Sequence, residues 1–312
     1  MMSRIHKNIL WFSVRLFVFA CCFILSITAF IAFNDSSVDE INLKQKSIFN
    51  ESTHPLVIAG SSHAGAFSIH NRSEIVKKIT GRRLTTINPQ GGDIKNIYQL
   101  TKLAINNNTK FESFVYMVDP FMLSNNHFGA LYDLFNDAPF SLKFLKHLIG
   151  EGVHHLTIKN YILASLHLNH LLSKFKPTSK KNISNQNHTE PVKRNIREHY
   201  TKERRLRFLH PRGNHLDKNI IDEQQYYFKK TIQLLLKNKI KVFIVIPPTL
   251  LGTDINYSNT IGFLTALKEE LNIPFYDYSK VMQDQKYFVD HDHLSQEGVS
   301  SFTQKYIKPI LK

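Results

Sequence analysis

Three short runs of apolar and β-branched residues, each stopped by residues that do not continue a strand, confine this chain to a narrow set of architectures. Leu56-Val57-Ile58-Ala59 runs into Gly60-Ser61-Ser62, Phe114-Val115-Tyr116-Met117-Val118 into Asp119-Pro120, and Ile240-Lys241-Val242-Phe243-Ile244-Val245-Ile246 into Pro247-Pro248. Apolar runs of this density read as strands buried on both faces, because a half-exposed strand alternates apolar with polar residues. Between and after them lie helical patterns: Ile220 to Lys237 places Tyr227, Ile232, Leu235 and Leu236 at helical intervals, and Thr260 to Leu271 predicts another helix. Ile273 to Tyr278 predicts a short strand and its exit. This alternation predicts an α/β fold, a parallel sheet flanked by helices on both faces. Ligands of such sheets gather at the carboxyl ends of the strands, where Ser62 falls.

Two segments far apart in the chain carry groups that can do chemistry. The first is Gly60-Ser61-Ser62-His63-Ala64, a tight Gly-Ser turn that lifts a hydroxyl to the end of the sheet. The second is Asp290-His291-Asp292-His293-Leu294-Ser295, with a carboxylate and an imidazole three residues apart. A serine nucleophile needs a neutral histidine to take its proton, and that histidine needs an acid group to hold its tautomer and stabilise the imidazolium. Brought together by folding, the two segments would supply all three groups.

Together these segments resemble the SGNH (GDSL-like) hydrolase superfamily, with the match spanning residues 55 to 312 and carried by its two end blocks. The resemblance implies a flavodoxin-like α/β sheet with Ser62 as nucleophile, His293 as general base and Asp290 as its orienting partner. Ser61 stands where the family usually has an acid. In Asn88-Pro89-Gln90-Gly91-Gly92-Asp93 the resemblance implies Gly92 as an oxyanion donor, beside the backbone N–H of Ser62, although Gly91-Gly92 also reads as a plain turn. The family's third block brings an asparagine after a strand. Here Asp119-Pro120 takes that place and asparagine comes later, at Asn125 and Asn126, so Asp119 and Asn125 are the candidates for lining a substrate pocket, with Asp119 alternatively capping its loop. Asp290 is preferred to Asp292 by resemblance alone, and a pairing of Asp292 with His291 is the alternative. The resemblance implies no cofactor. The Asp and His residues of 290–293 lack a second cluster at ligand spacing, so no metal is expected.

The front of the chain bears on where this chemistry would take place. Ile9 to Phe33 is overwhelmingly apolar, and the run after Arg15 has the length needed to cross a bilayer. Arg4, Lys7 and Arg15 precede that run, whereas Asp35, Asp39 and Glu40 follow it, which predicts a cytoplasmic stub and an exported domain. A retained transmembrane helix over 1–34, a linker over 35–54 and a catalytic domain over 55–312 are the expected organisation. A cleaved signal peptide competes with it, but Ile27-Thr28-Ala29 and Phe30-Ile31-Ala32 each start with a bulky residue where signal peptidase prefers a small one. Cys21 and Cys22, the only cysteines, fall inside the apolar run, so residues 35–312 contain none to form a disulfide or a cysteine metal site.

Most of the formal charge of +15 is local. Between Lys174 and Lys218 thirteen Lys and Arg face four Asp and Glu, a net of +9. That basic insertion holds Ser179-Lys180-Lys181-Asn182-Ile183-Ser184-Asn185-Gln186-Asn187, which has too little apolar content to fold by itself. It lacks the aromatic interleaving of a nucleic-acid module, so no nucleic acid is expected. Anionic headgroups or an acidic polymer suit an exported basic loop better, and a solvated insertion without a specific partner is the alternative. Ser141 to Phe175, rich in Leu, Ile and His, predicts amphipathic helices, with its histidines solvated or at the core edge. The combined expectation is an anchored, exported O-acyl esterase or acyltransferase that acts on an envelope glycan or related polymer, with a membrane acyl-donor partner if it transfers. A catalytically silent glycan-binding or assembly protein is the opposing class.

Deleting Ser179 to Asn187 is expected to weaken co-sedimentation with anionic vesicles while the reactivity of Ser62 toward a serine probe stays at its original level.

Overall fold

The computed structural model describes residues 9–19, 21–23, 26, 48, 52–89, 93–124, 134–135, 138–165 and 217–312. In chain order these form β1 (Thr53–His54), β2 (Leu56–Ala59), α1 (Ser62–Gly65), α2 (Arg72–Thr80), β3 (Leu84–Ile87), α3 (Ile94–Asn106), β4 (Lys110–Phe111) and β5 (Ser113–Met117). There follow α4 (Leu142–Gly150), α5 (His155–Ser165), α6 (Lys218–Lys237), β6 (Lys241–Ile246), α7 (Tyr257–Leu271) and β7 (Phe275–Asp277). A 3₁₀ turn (Gln285–Tyr287) leads to α8 (Gln296–Phe302), a π-helical turn (Thr303–Ile307) and α9 (Lys308–Ile310).

Five strands form one sheet in the order β3-β2-β5-β6-β7, every pair parallel, with Ala59 opposite Ile87 on one side and Tyr116 on the other. The apolar runs become central strands because successive side chains point to opposite faces and both faces are covered. Val57, Ala59, Phe114, Tyr116, Ile244 and Ile246 pack on one face among residues of α3, α4, α6 and α7, including Ile97, Phe144, Phe228 and Leu264. Their alternates Leu56, Ile58, Val115, Met117 and Val245 pack on the other with Ala64, Val76, Val299 and Phe302. The parallel α/β sheet expected from the sequence is therefore present, and α6, β6, α7 and β7 fall where the periodicity placed them. β1 and β4 form a separate two-stranded parallel pair beside it.

Helix starts follow local chemistry. Asp93, Ser141 and Asp217 cap α3, α4 and α6 by accepting from the N–H of Asn96, Phe144 and Asn219, each of which satisfies an N–H that the helix leaves without a partner. The amphipathic segment expected from Ser141 supplies α4 and α5, and its remainder beyond Ser165 lies outside the described residues. His154 precedes α5 and is therefore not held to helical spacing from His155, so the two rings stack at 4.4 Å.

His147 sits at the core edge between α3 and α4. Its Nδ1 accepts from Lys102 Nζ at 2.8 Å and its Nε2–H donates to Gln99 Oε1 at 3.0 Å. Burial, followed by the neighbouring Lys102 charge, lowers its pKa from 6.5 to about 4.

Among the described residues no helix is long and apolar enough to cross a membrane. Residues 9–19 are helical and present Trp11, Phe12, Phe17 and Phe19 outward. Most of the expected span beyond residue 19 lies outside the described residues, as do residues 174–216 of the basic insertion, Gly92, Asn125 and Asn126.

Because the folded state holds His147 neutral while the unfolded chain takes up a proton near pH 6.5, stability is complete above that range and is lost as pH falls through it toward about 4. Urea melts at pH 7 and pH 4.5 are expected to differ by about 1 to 2 kcal/mol more in the wild type than in His147→Gln, a range reduced for solvent screening of a group near the surface.

Candidate active site

β2 ends at Ala59, and the chain turns through Gly60 and Ser61 into α1, whose first residue is Ser62. The turn is possible only because Gly60 lacks a side chain: a Cβ there would lie 2.5 Å from the Met117 carbonyl oxygen of neighbouring β5. Ser61 caps α1, its hydroxyl accepting from the His63 N–H at 3.3 Å. Ser62 is left exposed at the carboxyl edge of the sheet.

The loop after the 3₁₀ turn brings the second segment to the same place. Residues 288–294 close on themselves, with Phe288 bridged antiparallel to Leu294 and the Val289 N–H donating to the His293 carbonyl at 2.9 Å. His293 Nε2 comes 2.6 Å from Ser62 Oγ across 231 residues of sequence, and His293 Nδ1 lies 2.7 Å from Asp290 Oδ2. Asp290 Oδ1 accepts from the N–H groups of Asp292 at 2.8 Å and His293 at 2.7 Å. Burial opposes ionisation of Asp290, but the hydrogen bond and charge of His293 and these two N–H donors outweigh it and hold the carboxyl well below the usual carboxylate range. An ionised Asp290 takes the Nδ1–H, which leaves the Nε2 lone pair facing the Ser62 hydroxyl. The alternative pair is also resolved: His291 Nε2 lies 3.3 Å from Asp292 Oδ2, whereas the imidazole at Ser62 belongs to His293.

Asp119 follows β5 and is 5% exposed. Its Oδ2 accepts from the Ser61 hydroxyl and from His63 Nδ1, the latter at 2.6 Å. The carboxylate expected to line a pocket or cap its loop thus sits beneath the turn and ties the two neighbours of Ser62.

Two residues of this region were not singled out in the sequence. His63 adjoins the serine in the motif itself, a signal that could have drawn attention to it. Arg72 carried none. It is 1% exposed, and its Nη1 donates to the carbonyls of Ala66 at 3.1 Å and Leu294 at 2.9 Å. One guanidinium therefore fastens the segment after α1 to the residue following His293. Gly298 closes the other side of that loop: a Cβ there would lie 2.0 Å from the Tyr287 carbonyl oxygen, so α8 packs directly against the 3₁₀ turn.

Comparison with solved structures finds similarity to a GDSL-like lipase from Bacteroides thetaiotaomicron at 12% identity and a TM-score of 0.40, covering 91% of this chain and 96% of that one. A putative acylhydrolase from Bacteroides fragilis is similar at 14% identity and a TM-score of 0.39, covering 88% and 100%. An acetyl xylan esterase is similar at 12% identity and a TM-score of 0.39, covering 82% and 99%. No family model matches the chain, and no curated protein matches it.

Arg72→Leu removes two charge-assisted hydrogen bonds and leaves two buried carbonyls to find other donors, so it is expected to cost at least about 3 kcal/mol in a denaturant melt. Gly298→Ala is expected to cost about 1 to 3 kcal/mol through overpacking against Tyr287.

Proposed function

We propose that this chain is an SGNH-type serine hydrolase or acyltransferase that cleaves an O-acyl ester through an acyl-enzyme. One observation carries the reading: the unbroken run of short contacts from Ser62 Oγ to His293 Nε2 and from His293 Nδ1 to Asp290, assembled from the two ends of the fold. A structural turn would not need an imidazole nitrogen aimed at an exposed hydroxyl.

In this reading His293 Nε2 takes the Ser62 proton as Oγ attacks the ester carbonyl carbon. Asp290, ionised and held by two backbone donors, stabilises the imidazolium that forms. The Ser62 N–H at the head of α1 and, by resemblance, Gly92 donate to the developing oxyanion, where each well-aimed donor contributes about 3 to 4 kcal/mol. The C–O bond to the leaving alcohol breaks as His293 returns the proton to that oxygen. His293 then activates a second hydroxyl, which attacks the acyl-enzyme and releases Ser62. Water as that hydroxyl gives an esterase, and a sugar hydroxyl gives an acyltransferase. Asn125, by its place after Asp119, is the remaining candidate for contacting the substrate.

The apolar run at the front, with basic residues before it and acidic residues after it, supports a single-pass anchor with the domain on the exported side of the cell membrane. The outward aromatics of residues 9–19 suit a lipid environment. An enzyme so placed meets envelope glycans and their acyl groups, which makes an acylated polysaccharide the proposed substrate class. A membrane acyl donor would be its partner in transfer.

Labelling by a fluorophosphonate serine probe is expected in the wild type and absent in Ser62→Ala and His293→Ala. Asp290→Asn is expected to lower the labelling rate by about 10³- to 10⁴-fold, because the amide offers its N–H where an acceptor is needed. A folded wild-type chain that does not label, or a Ser62→Ala variant that does, overturns the proposal.

A further inference from the structure

A second imidazole lies directly behind the Ser62–His293 pair. The His63 and His293 rings are 5.3 Å apart between centroids and inclined by 34°. His63 is 8% exposed and Asp119 is 5% exposed, so neither presents itself to a substrate. We propose that Asp119, His63 and Ser61 form a buried positioning unit that holds the Ser62 hydroxyl and the His293 ring in attacking geometry. The proposal rests on Ser62 being the nucleophile and assigns a task to three neighbours that the acyl-transfer chemistry itself does not use.

The argument begins with connectivity. Asp119 belongs to the segment leaving β5, and Ser61 and His63 to the segment leaving β2. These strands are hydrogen-bonded neighbours, with Ala59 opposite Tyr116. One carboxylate oxygen accepts from the hydroxyl on one side of Ser62 and the ring N–H on the other. The backbone of Ser62 is thereby clamped from both sides to the adjacent strand, while its own side chain is left to meet His293. The clamp adds to the packing of Gly60 on β5 and the Arg72 bond at Ala66, because α1, running only from Ser62 to Gly65, is too short to fix the turn by its own hydrogen bonds.

The second step concerns His293. Asp290 and Ser62 meet its ring at Nδ1 and Nε2, but these two bonds leave the ring free to tilt about the line through its nitrogens. The neighbouring His63 ring limits that motion. His63 in turn is held at Nδ1 by Asp119, so the ring that supports His293 is itself anchored to β5. The energetics point to the same role. A carboxylate and an imidazole under the turn carry a desolvation cost that an apolar pair filling the same volume would avoid, so what the unit contributes is geometry at the site. Displacing a reacting group by about 1 Å can cost about 10²-fold in rate.

The test measures the inactivation rate constant and the apparent binding constant of a fluorophosphonate on the full chain. His63→Ala is expected to lower the rate constant by about 10- to 100-fold with binding unchanged within about twofold. His63→Asn places an amide N–H near the former Nδ1–H, which restores the bond to Asp119 but not the ring beside His293, and is expected to react faster than His63→Ala and within about tenfold of wild type, which a bulk effect on stability would not produce. Asp119→Ala is expected to behave as His63→Ala does. A folded His63→Ala that reacts at the wild-type rate overturns the proposal, and so does a His63→Asn that remains as slow as alanine. If thermal melting shows His63→Ala unfolded, His63→Asn decides alone: a rate within about tenfold of wild type supports the unit, and a greater loss overturns it. Failure of the underlying reading is distinct, since it appears as absent labelling of the wild type or retained labelling of Ser62→Ala.

Discussion

The contact between Gly60 and the Met117 carbonyl is the constraint on which the site depends. β2 is buried on both faces by residues of opposite parity, so its position relative to β5 is set by side chains above and below the sheet. At its carboxyl end the two backbones come so close that a single added carbon would meet an oxygen at 2.5 Å. That approach puts Ser61 and His63 within reach of Asp119 and turns Ser62 outward. The packing of the core therefore reaches the candidate nucleophile through three residues of backbone rather than through a flexible loop.

The other half of the site depends on polar contacts of a different kind. The loop bearing Asp290 and His293 contains no regular element of its own, and it is held by backbone bonds to itself, by Leu250 N–H donating to the His291 carbonyl, and by Arg72. Buried donors of this sort are modest in net stability but costly to remove, because their partners lose hydration on folding and recover nothing. They make the loop's shape a property of the whole domain. Asp290 illustrates the consequence: the hydrogen bond and charge of His293, joined by two N–H groups of its own loop, keep it ionised, and that ionisation selects the tautomer His293 presents to Ser62.

Four strands of the sheet were legible in the sequence because their signal is local, whereas β3 was not, its Leu84-Thr85-Thr86-Ile87 being too short and too polar to stand out. Leu56–Ala59, the run from Phe114 and the run from Ile240 were readable as strands from composition and stop signals, and α6 and α7 from periodicity. Ser62, Asp290 and His293 could be named because two short segments carry recognisable residue types at fixed spacing. The place Asp119 holds was not legible, since its partners come from the turn after β2 and from α1, separations of 58 to Ser61 and 56 to His63. Arg72 was not legible at all. An arginine in a helix-forming stretch reads as a solvated surface residue, and only the packing of residues 66 and 294 around it makes it buried.

What the sequence determined by itself is the class of fold and the candidates for the reactive groups, because strand burial, helix periodicity and motif spacing are short-range properties of the chain. Which aspartate faces which histidine, which face of the turn carries Ser62, and what supports them were decided by tertiary structure alone. Asp290 and Asp292 both lie within reach of a histidine in their own segment, so spacing could not choose between them. It is the folded loop that brings His293, and not His291, to Ser62 more than 200 positions away, with Arg72 fastening the next residue at the Leu294 carbonyl.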